Sequence, residues 1–115
     1  MPLDPEPFRC EVRPQRETVH VQPVGELDMA TVPVVEAQLS ELHAAGFEHL
    51  TPDLRDVCFL DSTGLRMILV WDEMSKADGF AFSLMAGPPA VQWFDLTATT
   101  QRLSFVEAAG SRVAA

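Results

Sequence analysis

The sequence contains few cations, few cysteines and no long hydrophobic run. Only 8 basic residues stand against 17 acidic ones in 115 residues, which gives a formal charge of -9. Nucleic acids and anionic membranes attract concentrated positive charge, so this balance argues against both as partners. No stretch approaches the roughly 18 apolar residues of a membrane span, and residues 1–7 show no signal-peptide pattern. These absences predict a cytoplasmic protein.

The cysteines and histidines fit no metal-binding pattern. Cys10 and Cys58 form no C-x-x-C motif and have no zinc spacing with a histidine. A disulfide between them is conceivable, but Cys58 lies in an apolar run, where a small buried thiol is the favoured interpretation. His20, His43 and His49 are interpreted as surface or helix-end residues. We therefore expect neither a metal nor a cofactor.

The pattern of elements predicts one α/β domain. Hydrophobic residues make up 47% of a chain whose length suits a single domain. Residues 1–7 are rich in proline and acidic residues, so we expect a flexible lead followed by a domain over 8–115. The predicted order is ββαβαβα, with room for one more strand. Strands that alternate with helices imply a single layer of mixed β-sheet packed by α-helices.

Two strands are predicted at the start of the domain. Apolar residues alternate with polar ones around 8–12 and 19–21, and a turn is expected at 14–16. Gly25 is expected to end the second strand, so that 26–28 forms a loop.

A helix and a third strand follow. The helix is predicted from Thr31 to Ala45, with Gly46 at its C-terminal end. The third strand is predicted over 49–57, although Pro52 argues against a central position in the sheet. The apolar stripe of the helix is predicted to consist of Val34, Val35, Leu39 and Leu42.

The second half of the chain is predicted to hold another helix and strand. The helix begins at 61–64 and ends near Ala77, and a strand follows over 80–85. A short helix ending near Leu96 and a short strand over 103–106 are also expected. The predicted core includes Val21, Leu54, Phe59, Ile68, Trp71, Phe82 and Leu84.

A helical wheel divides the second predicted helix into two faces. The packing face is predicted to contain Met67, Val70, Trp71 and Met74, with Ile68 at its edge. The opposite side holds Ser62, Arg66, Leu69 and Glu73, with Leu65, Asp72 and Lys76 adjoining. Two leucines beside a hydroxyl and an arginine favour a small protein-docking patch over a plain solvated face.

The segment 60–65, Leu-Asp-Ser-Thr-Gly-Leu, has two interpretations. It can be a strand, a tight turn and a capped helix, with Asp61 or Ser62 as N-cap and Gly64 for close packing. It can also present a hydroxyl at a helix N-terminus, where amide donors and the dipole favour an added phosphate. Neighbouring acidic groups would then make the added charge costly.

Enzyme motifs are absent from the sequence. Thr63 interrupts the spacing of an aspartic protease motif, and Ser62 has no G-x-S-x-G elbow. There is no P-loop and no G-x-G-x-x-G, so no recognised nucleotide cradle is present. A small serine hydrolase that uses Ser62 remains a minor alternative, which an ester hydrolysis assay would test.

Two motifs make the chain resemble the STAS domain of bacterial anti-sigma factor antagonists. Residues 25–28, Gly-Glu-Leu-Asp, are similar to the family's loop after the second strand. Residues 53–65 are similar to its third strand and the start of its second helix. The resemblance extends from roughly Phe8 to Phe105. The chain departs from the family at Pro52, at 97–100 and in a shortened final helix.

The resemblance implies a switchable binding protein and not an enzyme. The family's phosphorylatable serine falls on Ser62, its acidic neighbour on Asp61 and its loop aspartate on Asp28. The unphosphorylated form would bind an anti-sigma factor that is also a serine kinase, with ATP held by that partner. Phosphorylation would end the binding and a serine phosphatase would restore it. The partner surface is expected to comprise Asp28, Asp61, Ser62, Thr63, Leu65, Arg66, Leu69 and Glu73.

Two further expectations accompany the resemblance. The protein is expected to be a monomer or a weak dimer. A STAS subunit of another system, such as a lipid-transport complex or a sensory scaffold, is the alternative function within the same family. An acidic residue directly before Ser62 favours phosphoregulation over that alternative.

Overall fold

Strands and helices alternate in a computed structural model that describes residues 8–87 together with Leu103 and Phe105. The elements of this part of the chain are β1 (Arg9–Gln15), β2 (Thr18–Leu27), α1 (Val32–Ala44), β3 (His49–Pro52), β4 (Val57–Leu60), α2 (Ser62–Asp78) and β5 (Ala81–Phe82).

The strands form one mixed sheet. Its order is β1-β2-β3-β5, and β4 also pairs with β2. β1 runs antiparallel to β2, whereas the pairs β2–β3, β2–β4 and β3–β5 are parallel. Two helices pack with the sheet, so the predicted mixed sheet with helices is confirmed.

β2 is longer than predicted. Gly25 does not end the strand, because β2 continues to Leu27 and the register shifts between Gly25 and Glu26. Gly25 has a φ of 118°, which favours glycine, and its N–H donates to the Asp56 carbonyl at 3.1 Å. β2 changes partner before this bulge, because Val21 pairs with Pro52 of β3 and Gly25 already pairs with Val57 of β4. The loop expected at 26–28 therefore begins only at Asp28.

The predicted third strand is two strands. β3 ends at Pro52 and β4 begins at Val57, with a turn between them. Pro52 is buried in a strand that lies between β2 and β5, so the expectation against a central position is wrong. As the last residue of β3, Pro52 withholds only its own N–H, and its carbonyl still accepts from the Met85 N–H at 2.9 Å. The N–H of Asp53 restores pairing by donating to the Val21 carbonyl at 2.8 Å.

The position of α1 agrees with its prediction, but its buried stripe is displaced. Gly46 follows the helix with a φ of 98°, as expected for a residue that ends a helix. Val34 is 45% exposed, so its assignment to the apolar stripe is wrong. The spacing of one face selects Val32 in its place, since Val32, Val35 and Leu39 are buried and Leu42 packs partly against the core.

α2 spans the predicted range, with Gly79 at its end. Its buried face is rotated about the helix axis by about 90° from the predicted face. Val70 is 47% exposed, whereas Leu65 and Asp72, both predicted outside, are buried. Asp72 pairs with Lys76 at 3.0 Å, and the Ser75 hydroxyl donates to the Asp72 carbonyl at 2.6 Å. Two polar residues are accommodated inside in this way, which the apolar pattern alone could not indicate. The buried residues of α2 are Gly64, Leu65, Met67, Ile68, Trp71, Asp72 and Ser75.

Most of the predicted core is confirmed. Val21, Leu54, Ile68, Trp71, Phe82 and Leu84 are buried. Phe59 is 48% exposed and Cys58 is exposed, so both were wrongly assigned to the interior. The cause lies in β4, because only Val57 and Leu60 at its two ends are buried. The shifted register on β2 places Cys58 outside the paired residues.

The later elements are described only in part. β5 is shorter than the predicted strand over 80–85, and Met85 and Leu84 form isolated parallel bridges with Asp53 and Phe105. Phe105, which forms the bridge with Leu84, lies within the strand expected over 103–106. The lead at 1–7, the short helix ending near Leu96 and the departures from the family after it lie outside the described residues.

Gly64 allows α2 to approach the sheet closely. A Cβ at this position would lie 2.5 Å from Leu60 Cδ1 and 3.0 Å from the Leu27 carbonyl oxygen. Real Cβ atoms do not make contacts as short as the first, and the second involves backbone. The first turn of α2 therefore requires a residue without a side chain.

Truncation within the buried face of α2 should be far more costly than truncation outside it. Ile68→Ala removes a fully buried side chain, and we expect a loss of about 2–5 kcal/mol in the free energy of unfolding. Val70→Ala in the same helix should change it by about 0.5 kcal/mol or less. Urea denaturation of both variants measures the difference. Equal losses would show that the packing face has been assigned wrongly.

Gly64→Ala should destabilise the protein even though alanine is the better helix former. The added methyl group must displace Leu60 or the backbone of Leu27, at a cost of about 1–3 kcal/mol. Ser62→Ala, two residues away and exposed, is the matched control and should be nearly neutral. Thermal unfolding followed by circular dichroism measures both variants. A stability gain for Gly64→Ala would contradict the close packing.

Candidate functional site

Two helices begin at the same edge of the sheet. Leu27 at the end of β2 pairs in parallel register with Leu60 at the end of β4. The next residues are Asp28 and Asp61, and the Asp61 N–H donates to the Leu27 carbonyl at 3.3 Å. The carboxyl ends of adjacent parallel strands meet at one edge, which is where functional groups of α/β proteins commonly lie.

Asp61 is the N-cap of α2. Its backbone is extended, and its Oδ1 accepts a hydrogen bond from the Gly64 N–H at 3.0 Å. Its carbonyl accepts the first hydrogen bond of the helix, from the Leu65 N–H at 3.1 Å. The capped-helix interpretation of the segment is therefore confirmed, with Asp61 as cap and Ser62 as the first helical residue.

Ser62 presents its side chain to solvent at the positive end of the helix dipole. It is exposed, whereas the adjacent Thr63 is half-buried. No hydrogen bond among the described residues uses the Ser62 hydroxyl. The hydroxyl is thus accessible, and the adjacent helix start tolerates negative charge. Of the two neighbouring hydroxyl groups, that of Ser62 is the more accessible.

Asp28 organises the loop that leads into α1. Its Oδ1 accepts hydrogen bonds from the N–H groups of Ala30 at 2.9 Å and Thr31 at 3.2 Å. Thr31 Oγ1 in turn accepts from the Asp28 N–H at 2.9 Å and donates to the Glu26 carbonyl at 2.7 Å. These bonds close the loop on itself. Asp28 therefore holds a negative charge at a defined place beside the end of β2.

The outer face of α2 continues from Ser62 along an open groove. Arg66 and Glu73 are exposed and Leu69 is half-buried, as predicted for this side of the helix. Leu65, predicted to belong to the same patch, packs instead in the core with 8% of its surface exposed. The groove has a volume of about 500 Å³ and is lined by Arg66, Leu69, Val70, Glu73, Met74 and Ala77.

Two exposed apolar side chains near this edge were not predicted. Met29, which follows Asp28 in the loop, is 76% exposed, and Phe59 on β4 is 48% exposed. Met29 carries no periodic signal, because it lies in a loop. Phe59 lies in an apolar run of which only the two end residues of β4 are buried. Contact surfaces are marked by contiguous exposed apolar patches, whereas single exposed apolar side chains are ordinary.

An ion pair holds the turn from which β4 emerges. Arg55 donates to Asp53 through Nε at 2.9 Å and Nη2 at 2.7 Å. Burial of Asp53 acts to raise its pKa, but the hydrogen bonds and charge of Arg55 outweigh this effect and lower the pKa below its usual value. Asp53 therefore stays ionised, and its bonds to Arg55 fix the chain just before β4.

The cysteines are free thiols, so the conceivable disulfide is not formed. Cys10 is half-buried, and burial raises the pKa of its thiol to about 11. A thiol of this pKa is protonated near neutrality and is a weak nucleophile.

Histidine side chains are engaged away from Ser62. His49 Nε2 lies 2.7 Å from Ser83 Oγ, and the ring of His43 packs 4.3 Å from that of Phe80. Within residues 8–87, no recorded hydrogen bond joins a histidine to Ser62. The same part of the chain contains no group of three metal-ligating side chains and no helix able to cross a membrane.

The family model described as "Mlab, STAS domain" matches residues 10–96, which is most of the chain. A search of curated proteins found no match. Among solved structures, the chain resembles an anti-sigma factor antagonist from Mycobacterium paratuberculosis, with 26% identity, a TM-score of 0.76 and coverage of 88% of this chain and 86% of that one.

Two structures of SpoIIAA are also similar. The unphosphorylated anti-sigma factor antagonist SpoIIAA shows 24% identity and a TM-score of 0.62, covering 78% of this chain and 83% of that one. The phosphorylated Bacillus SpoIIAA shows 22% identity and a TM-score of 0.66, covering 89% and 91%. These two likenesses concern the fold. The family match over residues 10–96 shows that the chain belongs to the STAS domain family.

Proposed function

We propose that the protein is a bacterial, cytoplasmic anti-sigma factor antagonist controlled by phosphorylation of Ser62. The unphosphorylated form binds an anti-sigma factor that is also a serine kinase, and the sigma factor is released. Transfer of phosphate from the ATP held by the kinase ends the binding, and a serine phosphatase restores it. The observation that carries the proposal is the exposed hydroxyl of Ser62 at the first position of α2. The similarity to the mycobacterial anti-sigma factor antagonist supports the general role.

The charge at this edge explains how a phosphate would act. A phosphate group adds about -1.5 to -2 charges at neutral pH. It would stand beside the N-cap Asp61 and at the same sheet edge as Asp28, on a chain with a formal charge of -9. The helix start tolerates the anion within the fold. A partner surface that must bury the dianion loses affinity, because desolvation of the charge is costly.

We propose a revised docking surface made of exposed and half-buried side chains. Its polar part comprises Asp28, Asp61, Ser62, Thr63, Arg66 and Glu73. Leu65 is buried, so its proposed role is to support the helix start from within. The apolar contact area is assigned to Leu69 together with the exposed Met29 and Phe59. Apolar contacts surrounded by polar groups are the usual arrangement of protein–protein interfaces.

The other STAS function remains an alternative with the same fold. A subunit of a lipid-transport or sensory scaffold complex would use its surface for assembly and would need no modification of Ser62. The hydrolase alternative lacks a base, since the recorded hydrogen bonds of the described residues bring no histidine to Ser62. Phosphorylation therefore discriminates between the leading proposal and both alternatives.

Incubation with anti-sigma factor kinases and ATP should add one phosphate to Ser62. Ser62→Ala should abolish the modification, whereas Thr63→Ala should retain it, because Thr63 is half-buried and points away from Ser62 on the helix. Mass spectrometry of the intact protein and its peptides measures both. A single phosphate on Ser62→Ala would refute the assignment, and no phosphate on the wild type would favour the scaffold alternative.

A charge at position 62 should weaken partner binding without unfolding the domain. Ser62→Asp should leave the melting temperature nearly unchanged and weaken kinase binding at least about tenfold, or roughly 1.4 kcal/mol. Leu69→Lys should weaken binding while Ser62 stays intact. Ser40→Asp, on the exposed side of α1, adds the same charge elsewhere and is the matched control. Calorimetric titration showing wild-type affinity for Ser62→Asp and Leu69→Lys would place the partner surface elsewhere.

A further inference from the structure

Arg66 lies one helical turn after Ser62 on the same side of α2. Residues four apart on a helix have Cβ atoms about 5–6 Å apart, and helical side chains lean toward the N-terminus. Both side chains are exposed, so neither is committed to the core. The hydroxyl of Ser62 therefore lies within reach of the Arg66 side chain.

Arg66 is a cation without an ion pair in the described part of the chain. Four of the six Lys and Arg residues there pair with carboxylates: Arg9 and Arg13 with Glu11, Arg55 with Asp53, and Lys76 with Asp72. The other two are Arg16, in the turn between β1 and β2, and Arg66. Of these two arginines, Arg66 alone lies on α2, four residues after Ser62.

The sequence around Arg66 also places no acid within its reach along the helix. The positions three and four residues away are Ser62, Thr63, Leu69 and Val70. Asp61 lies five residues before Arg66, and its Oδ1 accepts from the Gly64 N–H. The position from which a negative charge could best reach Arg66 is thus Ser62, which becomes acidic only when modified.

We infer that Arg66 is the internal counter-ion of a phosphate on Ser62. This inference rests on the proposed function. A guanidinium binds two phosphate oxygens through parallel N–H donors, which a single helical turn permits when the arginine lies four residues later. The pair forms within one helix, so it needs no movement of the sheet or of α1.

The pairing would change the surface at a second place. Arg66 forms the end of the groove that contains Leu69, Val70, Glu73, Met74 and Ala77. When its guanidinium turns toward the phosphate, the groove loses the positive charge of Arg66, and no other charged group replaces it. Phosphorylation would therefore alter the docking surface both at Ser62 and along the outer face of α2.

The test installs phosphoserine at position 62 during translation, so it does not depend on any kinase. The second pKa of the phosphate is measured by ³¹P NMR as a function of pH. A nearby cation favours the dianion, so Arg66→Gln should raise this pKa by about 0.3 units or more relative to the otherwise unchanged phosphoprotein. High salt should diminish the difference.

Two further variants separate the counter-ion role from other effects. Arg66→Lys retains the charge and should keep most of the lowered pKa. Arg16→Gln removes one positive charge in the turn between β1 and β2 and should leave the pKa unchanged. Equal phosphate pKa values for Arg66→Gln and Arg16→Gln would overturn the inference, as would loss of the effect in Arg66→Lys. Circular dichroism checks that each variant is folded.

The outcome is separable from that of the proposed function. If no kinase modifies Ser62, the proposed switch fails, yet the installed phosphate still reports whether Arg66 pairs with it. If phosphorylation of Ser62 ends partner binding in Arg66→Gln as it does in the wild type, the proposed function is supported without Arg66. The phosphate pKa alone then decides whether Arg66 takes part.

Discussion

The parallel pairing of Leu27 with Leu60 is the constraint on which the site depends. It brings the carboxyl ends of β2 and β4 together, so that the two residues that follow lie at one edge and each precedes a helix. The absence of a side chain at Gly64 then lets the first turn of α2 pack on both leucines. This packing of the first turn of α2 on Leu27 and Leu60 fixes the position of the Ser62 hydroxyl. Separation of the turn from the sheet would expose buried apolar surface.

The carboxylates of the two acidic residues at this edge accept hydrogen bonds from backbone N–H groups. Asp61 accepts from the Gly64 N–H, and Asp28 accepts from two N–H groups of its own loop. Their carboxylates are therefore held in place as structural caps, and no hydrogen bond among the described residues joins either of them to the Ser62 hydroxyl. A nucleophile needs a base within hydrogen-bonding distance. An accessible hydroxyl with fixed negative charge nearby is compatible with the proposed role of Ser62 as a phosphate acceptor.

Local signals were sufficient for the helix ends and for Asp61 as a cap, but not for which sides are buried. Turn and cap residues such as Asp61, Gly46 and Gly79 identify helix ends because their conformations are local. Burial depends on partners that the pattern does not contain. Phe59 is exposed because β4 has a bulged register, and Asp72 is buried because Lys76 neutralises it. The resemblance to a family located Ser62 correctly within the fold, since its motif includes the cap itself.

The division of α2 explains how a surface signal can leave the fold intact. Its buried face extends from Gly64 to Ser75, where Asp72 forms an ion pair with Lys76 and Ser75 donates a hydrogen bond within the same helix. The outer face, with Ser62 and Arg66, contributes little to that packing. A phosphate on the outer face therefore changes the electrostatic potential seen by a partner more than it changes the free energy of unfolding. Under the proposed function, the stability of the domain and its recognition by a partner would depend on opposite sides of one helix.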